Sequence, residues 1–250
     1  MRKVMITGMS GLIGGVLRNH LDSIGGYQLS ALNRTPVEGV NWFQVDISDL
    51  EKIQSAFEGQ DTVVHLAALP GSDDWEGNLS SNVIGTYNVY EAARRAGVKR
   101  VVFASSGATV VGYAKLEPYK ALREGRYMDV PEDYIKLKED VIRPGGIYGA
   151  TKVWGEALGR SYSDAYGISI ICVRIGQVWP ENRPKVTADY ARWLSHRDIA
   201  SMMHKCIEAS DEIMFDVFNC TSDNKWGYVD LGHAKEVLGW APIDSAEAFR

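Results

Sequence analysis

Tyr148 and Lys152 lie four residues apart in the run Tyr148-Gly149-Ala150-Thr151-Lys152, so on a helix they share one face. A phenol with a solution pKa of about 10 is a poor base at neutral pH. A lysine ammonium beside it, together with a positive nicotinamide, favours the phenolate and brings it towards a working range. The same lysine can bond the ribose hydroxyls of a nicotinamide nucleotide. Ser106, at the end of an apolar run, can hold a substrate oxygen in line with the phenol. Near the start, Thr7-Gly8-Met9-Ser10-Gly11-Leu12-Ile13-Gly14 can cradle a pyrophosphate. Together these pieces predict proton transfer beside a bound dinucleotide, the chemistry of an oxidoreductase. Tyr134 and Lys138 repeat the spacing, but they sit in a run of alternating charges that reads as a solvated face.

The elements that must position these groups follow from periodicity. Val4-Met5-Ile6, Tyr27 to Leu32, Asn41 to Val45, Thr62 to Ala68, Val101 to Ala104 and Ile168 to Ile175 read as strands. Leu12 to Ile24, Asp49 to Phe57, Leu79 to Ala96 and Tyr148 to Ala165 read as helices, several closed by glycine. This alternation predicts an α/β fold, a doubly wound parallel sheet of the Rossmann type over residues 1–175. Residues 107–147 mix charges, Gly and Pro and read as an insertion near the strand ends. Beyond 175, a helix from Ser195 to Glu208, a strand around Phe215 to Cys220 and a helix near Val229 to Leu238 predict a small C-terminal substrate cap over residues 176–250.

The glycine loop lies between a strand and a helix, so Gly8, Ser10, Gly11, Leu12, Ile13 and Gly14 are candidate cofactor contacts. After the second strand a carboxylate would bond the ribose 2′-hydroxyl and repel a 2′-phosphate. Asn33-Arg34 stands there instead, which leans towards NADP with NAD tolerated. Asp46-Ile47 would flank the adenine.

Composition narrows the partners. The chain has 250 residues, 45% hydrophobic and 24% charged, and a net charge of −5. That charge offers no basic excess for nucleic acid. No apolar stretch reaches the roughly 20 residues of a membrane-spanning helix, and the apolar start breaks at Thr7-Gly8, against a secretory signal. Cys172, Cys206 and Cys220 lack metal-ligand spacing and read as buried residues of a cytoplasmic protein. The scattered His20, His204 and His233 predict no metal site, and His65 reads as packed beside the cofactor. His196 and Arg197, before a helix, could reach the pocket, and a helix-start contact to backbone explains them as well.

With these residues in place, the chain resembles the extended short-chain dehydrogenase/reductase family. The matching pieces are the glycine loop, His65-Leu66-Ala67-Ala68, Asn82-Val83-x-Gly85-Thr86, Phe103-x-Ser105-Ser106 and Tyr148-Gly149-x-x-Lys152. The resemblance implies catalytic roles for Ser106, Tyr148 and Lys152, and a supporting role for Asn82 through a helix bend and a proton-relay water. It also implies cofactor contacts at Leu66, Ala67, Ala68 and Ile175.

Later segments, among them Trp193-Leu194-Ser195-His196-Arg197-Asp198, are most similar to uronate dehydrogenases and related sugar dehydrogenases. That implies oxidation of a sugar at its anomeric hydroxyl, with Ser72, Ser106, Gly107 and Gln177 lining the sugar pocket, and a homodimer. Val89, Ala92, Ala93 and Ala96, on the helix that often pairs in such dimers, read as packing positions. Three features depart from that subgroup. Gly107-Ala108 replaces an Asn-His pair. Thr187-Ala188 occupies the stretch before Trp193 where a carboxylate-clamping arginine is expected, leaving Arg183 or Lys185 as substitutes. The spacing from Ser106 to Tyr148 is long. A uronate, a neutral aldose and a phosphorylated aldose all remain open. A nucleotide-sugar epimerase or dehydratase with retained NAD is the alternative enzyme, and a non-catalytic dinucleotide-binding protein the alternative outside enzymes.

Overall fold

Apolar strands buried on both faces need helices above and below them, and the computed structural model, which describes residues 1–250, meets that requirement. The strands are β1 (Arg2–Thr7), β2 (Tyr27–Asn33), β3 (Asn41–Gln44), β4 (Thr62–His65), β5 (Arg100–Ser106), β6 (Ser169–Ile175) and β7 (Phe215–Cys220). All pair parallel, in the order β3-β2-β1-β4-β5-β6-β7. The order reverses between β1 and β4, which opens a crevice at the carboxyl ends of the strands. The register sets Thr7 beside His65, Ser106 beside Ile175, and Ile175 beside Cys220.

The helices are α1 (Leu12–Ile24), α2 (Leu50–Ile53), α3 (Trp75–Gly77), α4 (Gly85–Arg95), α5 (Tyr119–Glu124), α6 (Ile147–Tyr166), α7 (His196–Ile207) and α8 (Gly232–Leu238). Successive strand residues point to opposite faces. Val4, Ile6, Val102 and Val173 therefore pack with Leu17, Met202 and Trp240 on the α1 and α7 side. Met5, Val63, Val101 and Ile170 pack with Val89, Tyr90 and Tyr162 on the α4 and α6 side. Each such large apolar side chain contributes about 1.5–3 kcal/mol by leaving water. Val89, Ala92 and Ala93 lie fully inside this second core. Residues after 175 supply β7 and α7 to the sheet layers as well as the cover. A third, smaller core joins the 107–147 segment to the chain's last quarter through Val110, Leu122, Leu137, Ala191, Tyr228 and Val229.

Three elements differ from the periodicity. β4 stops at His65 rather than Ala68, because the amides of Leu66 and Ala67 turn to the Thr7 carbonyl and hydroxyl at 3.1 and 3.2 Å. The helix expected over Asp49–Phe57 tightens into a 3₁₀ turn from Gln54. The long helix expected from Leu79 opens into a π-helical stretch, Asn78–Ile84, before α4. That wider turn carries buried Asn82 inwards. Its carboxamide accepts from the Leu69 amide (2.8 Å) and donates to the Leu69 carbonyl (3.1 Å) and to Asn78 Oδ1 (2.7 Å). The loop after β4 is thereby clamped to the helix.

His65 is buried between hydroxyls. Thr7 Oγ1 lies 2.8 Å from its Nδ1, and Thr86 Oγ1 lies 3.3 Å from its Nε2. Burial, with the nearby Lys152 ammonium, pushes its pKa down to about 3.

Two outcomes follow from these buried groups. Above the unfolded-state pKa of about 6.5 the ring is neutral in both states; below it only the unfolded chain takes the proton. Stability should therefore fall as pH drops from about 6.5 towards 3, by up to roughly 1.4 kcal/mol per unit from this one group. Urea unfolding at a series of pH values checks this, and His65→Gln should flatten the slope by about one proton. Asn82→Ala leaves the Leu69 amide and carbonyl unpaired and should cost about 1–3 kcal/mol in the same assay at neutral pH. An unchanged midpoint would deny the clamp.

Candidate active site

A cleft of about 880 Å³ runs along the carboxyl edge of the sheet, from the ends of β2 and β3 across β1 and β4 to β5 and β6. Its first part is backbone. Gly11 caps α1 with extended geometry (φ −74°, ψ 169°) and no side chain, so the amides of the first turn are left for an anion. Two glycines make the approach possible. Gly8 has φ +74°, and a Cβ there would stand 2.8 Å from the Ala67 amide nitrogen. A Cβ on Gly14 would stand 2.5 Å from Met9 Cα, so Gly14 seats the helix on the loop. The loop residues Gly8, Ser10, Gly11, Leu12 and Ile13 line the cleft, and Gly14 lies behind them.

Asn33, Arg34, Asp46 and Ile47 close this end, with Leu66, Ala67 and Ala68 along the floor and Ile175 further on. Asn33 is turned inwards. Its Oδ1 accepts from the Met9 amide at 2.8 Å, and its Nδ2 donates to Ser10 Oγ at 2.6 Å. It braces the glycine loop, so Arg34 alone is free to meet a ribose substituent. That guanidinium is 77% exposed and 3.8 Å from the Asp46 carboxylate. These residues fit a dinucleotide: a glycine cradle for pyrophosphate and a polar rim for adenosine.

The chemistry-bearing side chains stand at the other end. Tyr148 and Lys152 lie on the first turns of α6, and Ser106 ends β5 facing them; all three line the cleft. Burial raises the Tyr148 phenol above its ordinary value, and the Ser106 hydroxyl opposes that rise. The sequence predicts that Lys152 would be the opposing group. Instead its ammonium is turned into the sheet, donating to the Ala104 carbonyl at 2.7 Å and lying 5.7 Å from the centre of the Tyr148 ring. Burial pushes the Lys152 pKa down to about 8, against the pull of the Glu156 carboxylate. Glu156 is itself held by Arg174, through bonds of 2.8 and 2.9 Å, and by the Ser105 hydroxyl.

The other expected site residues divide. Gly107 and Gln177 line the cleft. Ser72 does not, because its hydroxyl accepts from the Asp74 amide at 3.1 Å in the turn before α3. Asn82 also lies outside the lining, with its carboxamide committed to Leu69 and Asn78. Tyr134 is not on a solvated face: its half-buried ring donates its hydroxyl to the Gly227 carbonyl at 2.8 Å, away from the cleft, while Lys138 is exposed. His196 faces the Trp179 carbonyl at 2.8 Å, and Arg197 pairs with Asp244. No group of acidic, histidine or cysteine side chains is arranged to hold a metal ion.

Several lining residues escaped the sequence. Arg174, Arg192, Asn219, Thr221 and Tyr228 face the cleft from β6, β7 and the cover. Arg183 and Lys185, the expected substitutes for a clamping arginine, do not; Lys185 pairs with Glu181 at 2.8 Å and covers the Trp179 ring. Arg192 is the arginine that enters. The one signal in the sequence was its place beside Trp193, and that gains meaning only once Gln177 and Trp193 are seen to pair as a parallel bridge.

Comparison with known proteins agrees with this geometry. Residues 4–230 match the NAD dependent epimerase/dehydratase family. A uronate dehydrogenase of Agrobacterium fabrum is 35% identical, covering 100% of this chain and 88% of its own length. An NAD-dependent glucose-6-phosphate dehydrogenase of Haloferax volcanii is 30% identical, covering 98% and 95%. The crystal structure of uronate dehydrogenase from Agrobacterium tumefaciens superposes with a TM-score of 0.83 at 34% identity, over 100% of this chain and 87% of that one. The glycine loop, the strand-end serine and the paired tyrosine and lysine thus sit within a match that spans nearly the whole chain, and the chain belongs to the NAD-dependent epimerase/dehydratase family.

Proposed function

We propose that this protein is an NAD(P)-dependent dehydrogenase that oxidises a sugar or uronate at its anomeric hydroxyl, giving a lactone. The observation that carries this reading is the convergence of Ser106, Tyr148 and Lys152 in the cleft that also holds the glycine loop. Relatives that match end to end carry names of dehydrogenases acting on sugars and uronates. A nicotinamide bound beside Tyr148 would supply the hydride acceptor. Tyr148 takes the proton from the sugar hydroxyl, and Ser106 holds that oxygen in place. Lys152, with a pKa of about 8, still carries its charge at neutral pH. It stabilises the phenolate that Tyr148 must become, from inside a pocket of low dielectric.

At the adenosine end, the absence of a carboxylate after β2 and the open Arg34 support use of NADP as well as NAD.

Two measurements test this. Tyr148→Phe should lower kcat by about 10²–10⁴-fold and leave dinucleotide binding, followed by titration calorimetry, nearly intact. Net formation of reduced nicotinamide from uronates and aldoses is the readout, and its absence with a cofactor that co-purifies would favour the epimerase reading. Arg34→Ala should raise KM for NADP about tenfold more than KM for NAD, the size of one charge-assisted contact; equal changes would remove Arg34 from cofactor selection.

A further inference from the structure

Arg192 reaches the sugar end of the cleft on a rigid mount. Its carbonyl accepts from the Gln177 amide at 2.8 Å, and the Leu194 amide returns to the Gln177 carbonyl at 2.9 Å. Gly176 permits this approach, since a Cβ there would lie 2.5 Å from the Arg192 oxygen. The guanidinium lines the cleft, with its Nε buried and without a partner. Its one ion pair, to Asp189, is long at 3.7 Å. Asp189 Oδ2 accepts from Trp179 Nε1 and from the amides of Lys185 and Val186, while its buried Oδ1 faces Arg192 without a hydrogen bond.

A second arginine stands behind it. Arg123, on α5 of the 107–147 segment, also has a buried Nε without a partner. It makes no ion pair. The end of α5 packs on the turn that leads to Arg192, where a Cβ on Gly125 would meet Thr187 Cγ2 at 2.7 Å. The two cations feel each other: burial first, and then Arg123, lower the proton affinity of Arg192. Partly buried guanidinium groups with unused donors are costly until an anion fills them. Their planar fork matches an oxyanion through two parallel bonds.

We propose that Arg192, backed by Arg123, clamps an oxyanion carried by the substrate, so that the sugar oxidised bears a carboxylate or a phosphoryl group. The proposal rests on the dehydrogenase reading and narrows it: neutral aldoses leave the unused guanidinium donors of the two arginines unfilled and are turned over poorly. The clamp differs from the one expected from the sequence. It uses a residue adjoining Trp193 and a partner from the long segment between Ser106 and Tyr148.

Steady-state rates with D-glucuronate, D-glucose 6-phosphate and D-glucose, beside calorimetric binding of the two anions, test it. At least one anion should exceed glucose in kcat/KM by about 100-fold, and which anion wins separates carboxylate from phosphate. Arg192→Met should reduce that ratio by about 100-fold, chiefly through KM, with Arg192→Lys restoring part of it and Arg123→Met costing about tenfold. Circular dichroism confirms that each variant folds. Glucose turned over as well as the anions, or an Arg192→Met loss equal for charged and neutral sugars, overturns the clamp. So does a failure of both anions to bind. Binding that depends on Arg192 without any hydride transfer keeps the clamp and sinks the dehydrogenase reading instead.

Discussion

The site depends on an ammonium group buried at the edge of a parallel sheet. Lys152 sits where strand carbonyls end, and water cannot reach it to stabilise its charge. The Ala104 carbonyl accepts its one hydrogen bond, and the field of the Glu156 carboxylate favours the charged form. Glu156 in turn needs Arg174 and Ser105 to be tolerable in the interior. Removing Glu156 or Arg174 alone would leave a buried charge unmatched, a loss of about 3–5 kcal/mol in comparable pairs. The site's chemistry and the sheet's integrity therefore rest on the same few atoms. At the Tyr148 phenol burial dominates and raises its proton affinity, with the Ser106 hydroxyl opposing.

Around this centre the fold divides its labour by strand end. β1 and β2 offer backbone and short polar groups to the glycine-loop end, whereas β5 and α6 bring Ser106, Tyr148 and Lys152. β6, β7 and the cover deliver larger polar residues to the remaining wall. The 107–147 segment is tied into this wall by its own apolar core with Tyr228 and Val229. It acts as structure over the mouth of the cleft and not as a loose loop.

Much of this was legible in the residues. Short β-branched runs separated by amphipathic helices dictate a doubly wound sheet, and a glycine loop between the first strand and a long helix suits a pyrophosphate. Tyr148 and Lys152 stood out by their surroundings, since Tyr134 and Lys138 share the same spacing. Tertiary direction was not legible. Spacing put Lys152 beside the phenol but could not tell that its ammonium would turn to Ala104. Asn33 and Asn82 look like ligands in a string of letters, yet each spends its carboxamide on a nearby loop. Periodicity suggested a regular helix through Asn78–Ile84, where the buried amide contacts impose a wider turn. Arg192 was invisible as a cleft residue because its position depends on a return crossing to the end of β6.

That crossing has a mechanical result. Gln177 donates its amide to the Arg192 carbonyl and accepts from the Leu194 amide just beyond the strand that flanks Ser106, so this wall of the cleft is fastened to the end of β6. No hinge separates the two. A shift of this wall would therefore have to carry the end of β6 with it.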